Sequence, residues 1–84
     1  MEAAFTKRAL KNLRRLDRVT QKQILKKLDF YLGSPQPLKY AEKLTDFKKD
    51  GQYRFRIGSY RVIFDVNGDI NILRIQHRKE IYRK

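Results

Sequence analysis

Cysteine is absent from the 84 residues and histidine occurs once. The first absence excludes a disulfide framework and thiolate chemistry, and a single imidazole excludes a metal cage built on histidines, so neither metal nor cofactor is expected. Long apolar runs are also missing. Nothing approaches the roughly 18 residues that cross a bilayer, and the N-terminal residues lack the apolar core of a signal peptide. A cytoplasmic protein without a membrane partner is the expectation. Acidic residues are scarce: nine stand against twenty-one Lys and Arg, which leaves +12.

What is present is enough for a core. Hydrophobic residues make up 40% and aromatics 12% of the chain, which argues against a disordered basic tail. A chain of this length holds one core, so residues 1–84 are expected to form a single domain. Thirteen basic and six acidic residues fall in 1–50, eight and three in 51–84, so the folded body itself is basic. Self-repulsion on that scale calls for an anionic partner: nucleic acid, an anionic membrane or an acidic protein.

The N-terminal half reads as helical. Met1 to Phe5 make at best a short edge strand. From Thr6, an N-cap, the apolar residues Ala9, Leu10, Leu13 and Leu16 recur at helical spacing between Lys7, Arg8, Lys11, Arg14 and Arg15. Thr20 to Gln23 reads as a capping box that opens a second helix, with Ile24, Leu25, Leu28, Tyr31 and Leu32 on one face, and Gly33-Ser34-Pro35 stops it. Residues 33–52 hold both prolines and read as a long connection, tied to the core by Leu38, Tyr40, Leu44 and Phe47.

From Tyr53 the period changes to two. Tyr53, Phe55 and Ile57 alternate with Arg54 and Arg56, and Tyr60, Val62, Phe64 and Val66 alternate with Arg61, Ile63 and Asp65. Gly58-Ser59 suits a two-residue hairpin turn, and Asn67-Gly68 signals another before a third strand, Ile70 to Gln76. The fold class is therefore α+β: an N-terminal helical hairpin packed on a small antiparallel sheet.

If both turns are two-residue loops, Arg56 faces Arg61 and Arg61 faces Arg74, with Arg54 two positions along the same face. The other face carries Tyr53, Phe55, Ile57, Tyr60, Val62, Phe64, Leu73 and Ile75, and covers the helices. Like charges directly opposed in a sheet cost up to about 1 kcal/mol per pair, and the row lacks acidic cross-strand partners. The pattern suits a phosphodiester backbone, whose oxygens guanidinium forks bind in bidentate fashion; a solvated outer face is the alternative. His77, Arg78, Lys79 and Tyr82 follow the last strand. RNA cleavage needs a proton acceptor for the 2′-OH, a donor for the leaving 5′-oxygen and cations for the phosphorane, and such a group of residues can supply them.

The segments 53–64, YRFRIGSYRVIF, and 75–82, IQHRKEIY, resemble the two signature stretches of the RelE/ParE toxin superfamily, and 5–13, FTKRALKNL, resembles its opening strand-to-helix segment. The resemblance runs through nearly the whole chain in the same order. It implies a toxin of a type II toxin-antitoxin system with a RelE-like fold, neutralised by a cognate RelB-like antitoxin. In the RelE branch, which is favoured here, it implies entry into the ribosomal A site, contact with rRNA and metal-independent cleavage of mRNA by 2′-OH attack on the phosphodiester. Carried onto this chain, Arg54 and Arg56 match positions that are often lysine in RelE, Arg61 follows the second-strand tyrosine, Arg78 is the C-terminal basic residue and Tyr82 the substrate-holding tyrosine. Arg74, Lys79 and Arg83 add RNA contacts.

Two departures stand out. Arginine replaces lysine where a base is needed, and a guanidinium is a poor proton acceptor; histidine is the one residue type here that titrates near neutrality, so His77 takes acid or base duty. The opening strand is also shorter than usual. A ParE-like inhibitor of DNA gyrase and a plain RNA-binding module are the competing functions, and the set His77, Arg78 and Tyr82 favours the nuclease.

Overall fold

The computed structural model describes residues 2–43 and 53–81, with side chains through residue 79. The elements run β1 (Ala3–Phe5), α1 (Lys7–Arg14), α2 (Arg18–Gly33), a 3₁₀ turn (Pro37–Tyr40), β2 (Ala41–Lys43), β3 (Tyr53–Ile57), β4 (Tyr60–Asn67), β5 (Asp69–His77) and α3 (Arg78–Ile81). The α+β class and the helical hairpin are as expected. The sheet has the order β1-β5-β4-β3-β2. It is mixed rather than wholly antiparallel, because β1 pairs parallel to β5.

Thr6 explains where α1 starts and why it sits on β5. Its Oγ1 accepts the Ala9 N–H at 3.1 Å and donates to the Leu73 carbonyl at 3.0 Å, while its own N–H reaches the Ile72 carbonyl at 3.0 Å. Six residues later Asn12 Oδ1 accepts the Ile75 N–H at 2.9 Å. A helix cap thus doubles as a clamp across the sheet. The second helix begins three residues earlier than its Thr20-x-x-Gln23 pattern suggests: Asp17 is the N-cap and accepts the Thr20 N–H at 2.9 Å. Hydrogen bonds from Thr20 hold the Asp17 carboxyl below the usual carboxylate range.

The core lies between the hairpin and one sheet face. Ala9 and Leu13 from α1 and Ile24 and Leu28 from α2 meet Phe55, Ile57, Val62, Phe64, Ile70, Ile72 and Ile75. Rings continue it outward: Phe64 stacks on Phe55 at 4.5 Å, Phe55 meets Tyr31 at a tilt at 4.8 Å and Tyr31 stacks on Tyr40 at 4.8 Å. The long connection read over residues 33–52 holds elements of its own, the 3₁₀ turn and β2. Leu38 packs on the core as expected, and Ala41–Lys43 pair with β3 as an edge strand. Leu44 and Phe47 lie outside the described residues.

Removing the Thr6 hydroxyl takes away the cap and leaves the Leu73 carbonyl without that donor. Thr6→Ala is expected to cost about 1–2 kcal/mol, read as a lower urea midpoint at unchanged slope, and Thr6→Ser to recover most of it.

Candidate functional site

The ladder assigns each strand residue to a face. Away from the helices lie Glu42 on β2, Arg54 and Arg56 on β3, Arg61 and Ile63 on β4, and Arg74 and Gln76 on β5. Arg56 pairs with Arg61 and Ile57 with Tyr60, as a two-residue turn requires. Gly58 turns the chain there with φ +60°, a conformation side chains with a Cβ rarely adopt.

Across β4 and β5 the register departs from expectation. Arg61 faces Gln76, and Arg74 faces Ile63. Two local features cause the shift. Asn67 pairs directly with Asp69, so Gly68 alone, at φ +81°, makes the turn; a bulge between Ile63 and Phe64 then leaves Leu73 as the extra residue. Leu73 is accordingly half-buried, and Ile70, Ile72 and Ile75 fill the core. The displacement is even, so Arg74 stays on the arginine face, beside the Arg56–Arg61 pair rather than in line with it.

The arginines differ in environment. Arg56 is open, with its side chain 53% exposed, and Arg54 is partly covered at 22%. Arg61 is buried at 7%, contrary to the solvated position expected for the row, and its Nη1 donates to the Tyr60 carbonyl at 3.3 Å. The acidic partner that sequence reasoning found missing is Glu42. Its Oε1 accepts from Arg54 Nε at 2.7 Å and lies 3.2 Å from Arg56 Nε. The hydrogen bond from Arg54, with the charges of Arg54, Arg56 and Arg61, holds the Glu42 carboxyl below its ordinary range against the opposing effect of burial. Glu42 escaped notice because three residues of strand are too few to show alternation.

His77 closes β5 opposite Tyr60 and therefore lies on the helix-covered face. Its ring stands edge-on to Tyr60 at 5.1 Å, and Nδ1 accepts the Lys79 N–H at 3.1 Å. With Asn12, Arg15, Leu16, Tyr60 and Ile75 it lines a cleft of about 200 Å³. The Arg78 N–H donates to the Ser59 carbonyl at 2.7 Å, which ties the end of β5 to the β3–β4 turn. Arg54, Arg56, Arg61 and Arg74 thus share one face; His77, Arg78 and Lys79 share its turn end, His77 from the opposite side. Tyr82 and Arg83 lie outside the described residues.

Fold and site together define a small helix-backed sheet that concentrates guanidinium groups around a single carboxylate, an arrangement able to exchange that carboxylate for phosphate oxygens. The chain belongs to the ParE toxin family of type II toxin-antitoxin systems, parDE, whose family model matches residues 3–82. It is similar to Toxin RelE3 of Methanocaldococcus jannaschii, 41% identical over 51 residues, an alignment spanning 50% of this chain and 58% of that relative's length. Its fold matches the toxin-antitoxin complex RelBE2 of Mycobacterium tuberculosis with a TM-score of 0.73 and 25% identity, over 90% of this chain and 95% of that one. It also matches the archaeal RelE-RelB complex of Pyrococcus horikoshii, with a TM-score of 0.68 and 32% identity over 90% and 92%. The RelE/ParE superfamily, on its RelE-like side, is where this toxin belongs.

Glu42 is the internal competitor for Arg54 and Arg56. Glu42→Gln is expected to tighten binding of a labelled single-stranded RNA and steepen its salt dependence, read by fluorescence anisotropy. A depressed carboxyl stabilises the fold above its unfolded-state pKa, and that stability is lost as pH falls through the lower folded-state value. The wild-type thermal midpoint is therefore expected to fall more steeply than that of Glu42→Gln in the acid range below the ordinary glutamate pKa.

Proposed function

We propose that this toxin is a ribosome-dependent mRNA endoribonuclease, held inactive by a RelB-like antitoxin and cutting mRNA in the A site, in contact with rRNA. The observation that carries the reading is the arginine face: two guanidiniums, those of Arg54 and Arg56, converge on one carboxylate in a protein of +12. Arg54 and Arg56 would hold the phosphate next to the scissile bond. Arg61, buried and fixed on the Tyr60 carbonyl, would set the position of that cradle as much as bind in it.

In this chemistry the 2′-oxygen loses its proton to water and bonds to the adjacent phosphorus. The bond from phosphorus to the 5′-oxygen breaks, and the departing oxygen takes up a proton. The arginines stabilise the charge that builds on the phosphorane. His77, whose Nδ1 accepts the Lys79 N–H, would supply that proton as the general acid. Because the imidazole is on the far side of the sheet, an RNA strand must pass over the β3–β4 turn to meet both Arg61 and His77. Arg78 and Lys79, exposed at that turn, would guide it, with Arg74, Arg83 and Tyr82 as further contacts.

A second reading, inhibition of DNA gyrase, has the family model's ParE description in its favour. Primer extension on mRNA from cells briefly expressing the protein separates the two: internal breaks in translated messages support the nuclease, and intact messages with a DNA-damage response support the gyrase reading. Arg56→Ala is expected to cut cleavage on programmed ribosomes about 10- to 150-fold, the worth of one charge-assisted contact, with the thermal midpoint unchanged because the side chain is open to solvent.

A further inference from the structure

We propose that the outer face of α2 beside the β3–β4 turn is a second RNA subsite, which stacks a base flanking the nucleotide held by the arginines and binds its phosphate through Lys26 and Lys27. The inference rests on the RNA-cleaving reading above. Phe30 is 59% exposed, a poor use of an aromatic ring on a solvated helix. It is also held in place: Tyr31 meets it edge-on at 5.9 Å, Tyr40 lies against it at 5.7 Å, and Tyr31 in turn packs at a tilt on the buried Phe55. The exposed ring is thus the outer end of an aromatic series rooted in the core. A ring so fixed loses little freedom when a base stacks on it.

Charge accompanies the ring. Lys27 Nζ lies 5.8 Å from the Phe30 centroid, and Lys26, one residue away, is exposed. Gln23, Lys26, Lys27 and Phe30 line one wall of a cleft of about 580 Å³, whose other wall is Ile57 and Gly58. That volume lies within the ~300–1,000 Å³ of small-molecule sites. Gly58 is two residues from Arg56, so the cleft opens within about 7 Å of chain from the arginine face. A strand bent over the turn, as access to both Arg61 and His77 requires, is led into it.

An amphipathic antitoxin helix fits this face less well. Such a helix needs apolar anchors at successive turns, whereas Val19 and Phe30 share this side of α2 separated by about 16 Å of helix that carries Lys22, Gln23 and Lys26. Bases and phosphates match an aromatic set among lysines.

The test is anisotropy with a short fluorescein-labelled oligoadenylate, run beside single-turnover cleavage on programmed ribosomes. Phe30→Ala is expected to weaken binding about 5- to 150-fold, the range of one base stack, with an unchanged thermal midpoint, and Phe30→Tyr to restore it. The double variant Lys26→Gln, Lys27→Gln is expected to lower the slope of log affinity against log salt by about 0.7, the worth of one single-strand phosphate. Wild-type affinity and salt slope in these variants, while the unmodified toxin still cleaves, overturn the subsite and leave the nuclease reading intact; so does a Phe30→Ala variant that loses the antitoxin and keeps RNA. A wild-type protein that neither binds the probe nor cleaves overturns both.

Discussion

The tight turn at Gly58 and Ser59 forces Arg56 and Arg61 into directly opposed positions on neighbouring strands, and the fold around them is arranged to tolerate that. Opposed like charges in a sheet are unfavourable by up to about 1 kcal/mol. The repulsion is met from three sides. Arg61 is drawn down against the sheet, its Nη1 on the Tyr60 carbonyl. Arg56 extends into solvent. The edge strand β2 brings Glu42 opposite Arg54, where its carboxylate reaches two guanidiniums. The face is thus partly neutralised by its own glutamate, a carboxylate whose place phosphate oxygens are able to take.

Much of this was readable from the residues because the signals were local. Alternation from Tyr53 to Val66 and a two-residue Gly-Ser turn are enough to place Arg56 opposite Arg61. The Thr6 cap was visible for the same reason: one hydroxyl ahead of an apolar helical period. What escaped depended on distant partners or on weak patterns. Neither the one-residue turn at Gly68 nor the bulge at Ile63 and Phe64 is marked in the residues, yet together they moved Arg74 off the row and replaced Leu73 by Ile72 in the core. Asp17 was masked by a second cap-like pattern three residues on. Glu42 lay in a segment with no period to read, and the burial of Arg61 follows from packing alone. His77, read as following the last strand, is the final residue of β5, and its face depended on the register of Tyr60.

The basic charge is spread over both layers of the molecule. Helix and sheet each carry cations on their outer sides, so an anionic partner that neutralises the protein has to supply negative charge over a wide surface. The solved neighbours that share this fold were captured as toxin-antitoxin complexes, in keeping with a toxin whose surface is built for an anionic partner.

The chemistry assigned to the arginine face is tested most directly by the ends it leaves on RNA. Purified toxin, freed of antitoxin and added to ribosomes programmed with a labelled message, is expected to cut once in the A-site codon, leaving a 2′,3′-cyclic phosphate upstream and a 5′-hydroxyl downstream. Fragments ending in 3′-hydroxyl and 5′-phosphate, or a message left intact on ribosomes that have bound the toxin, would contradict it.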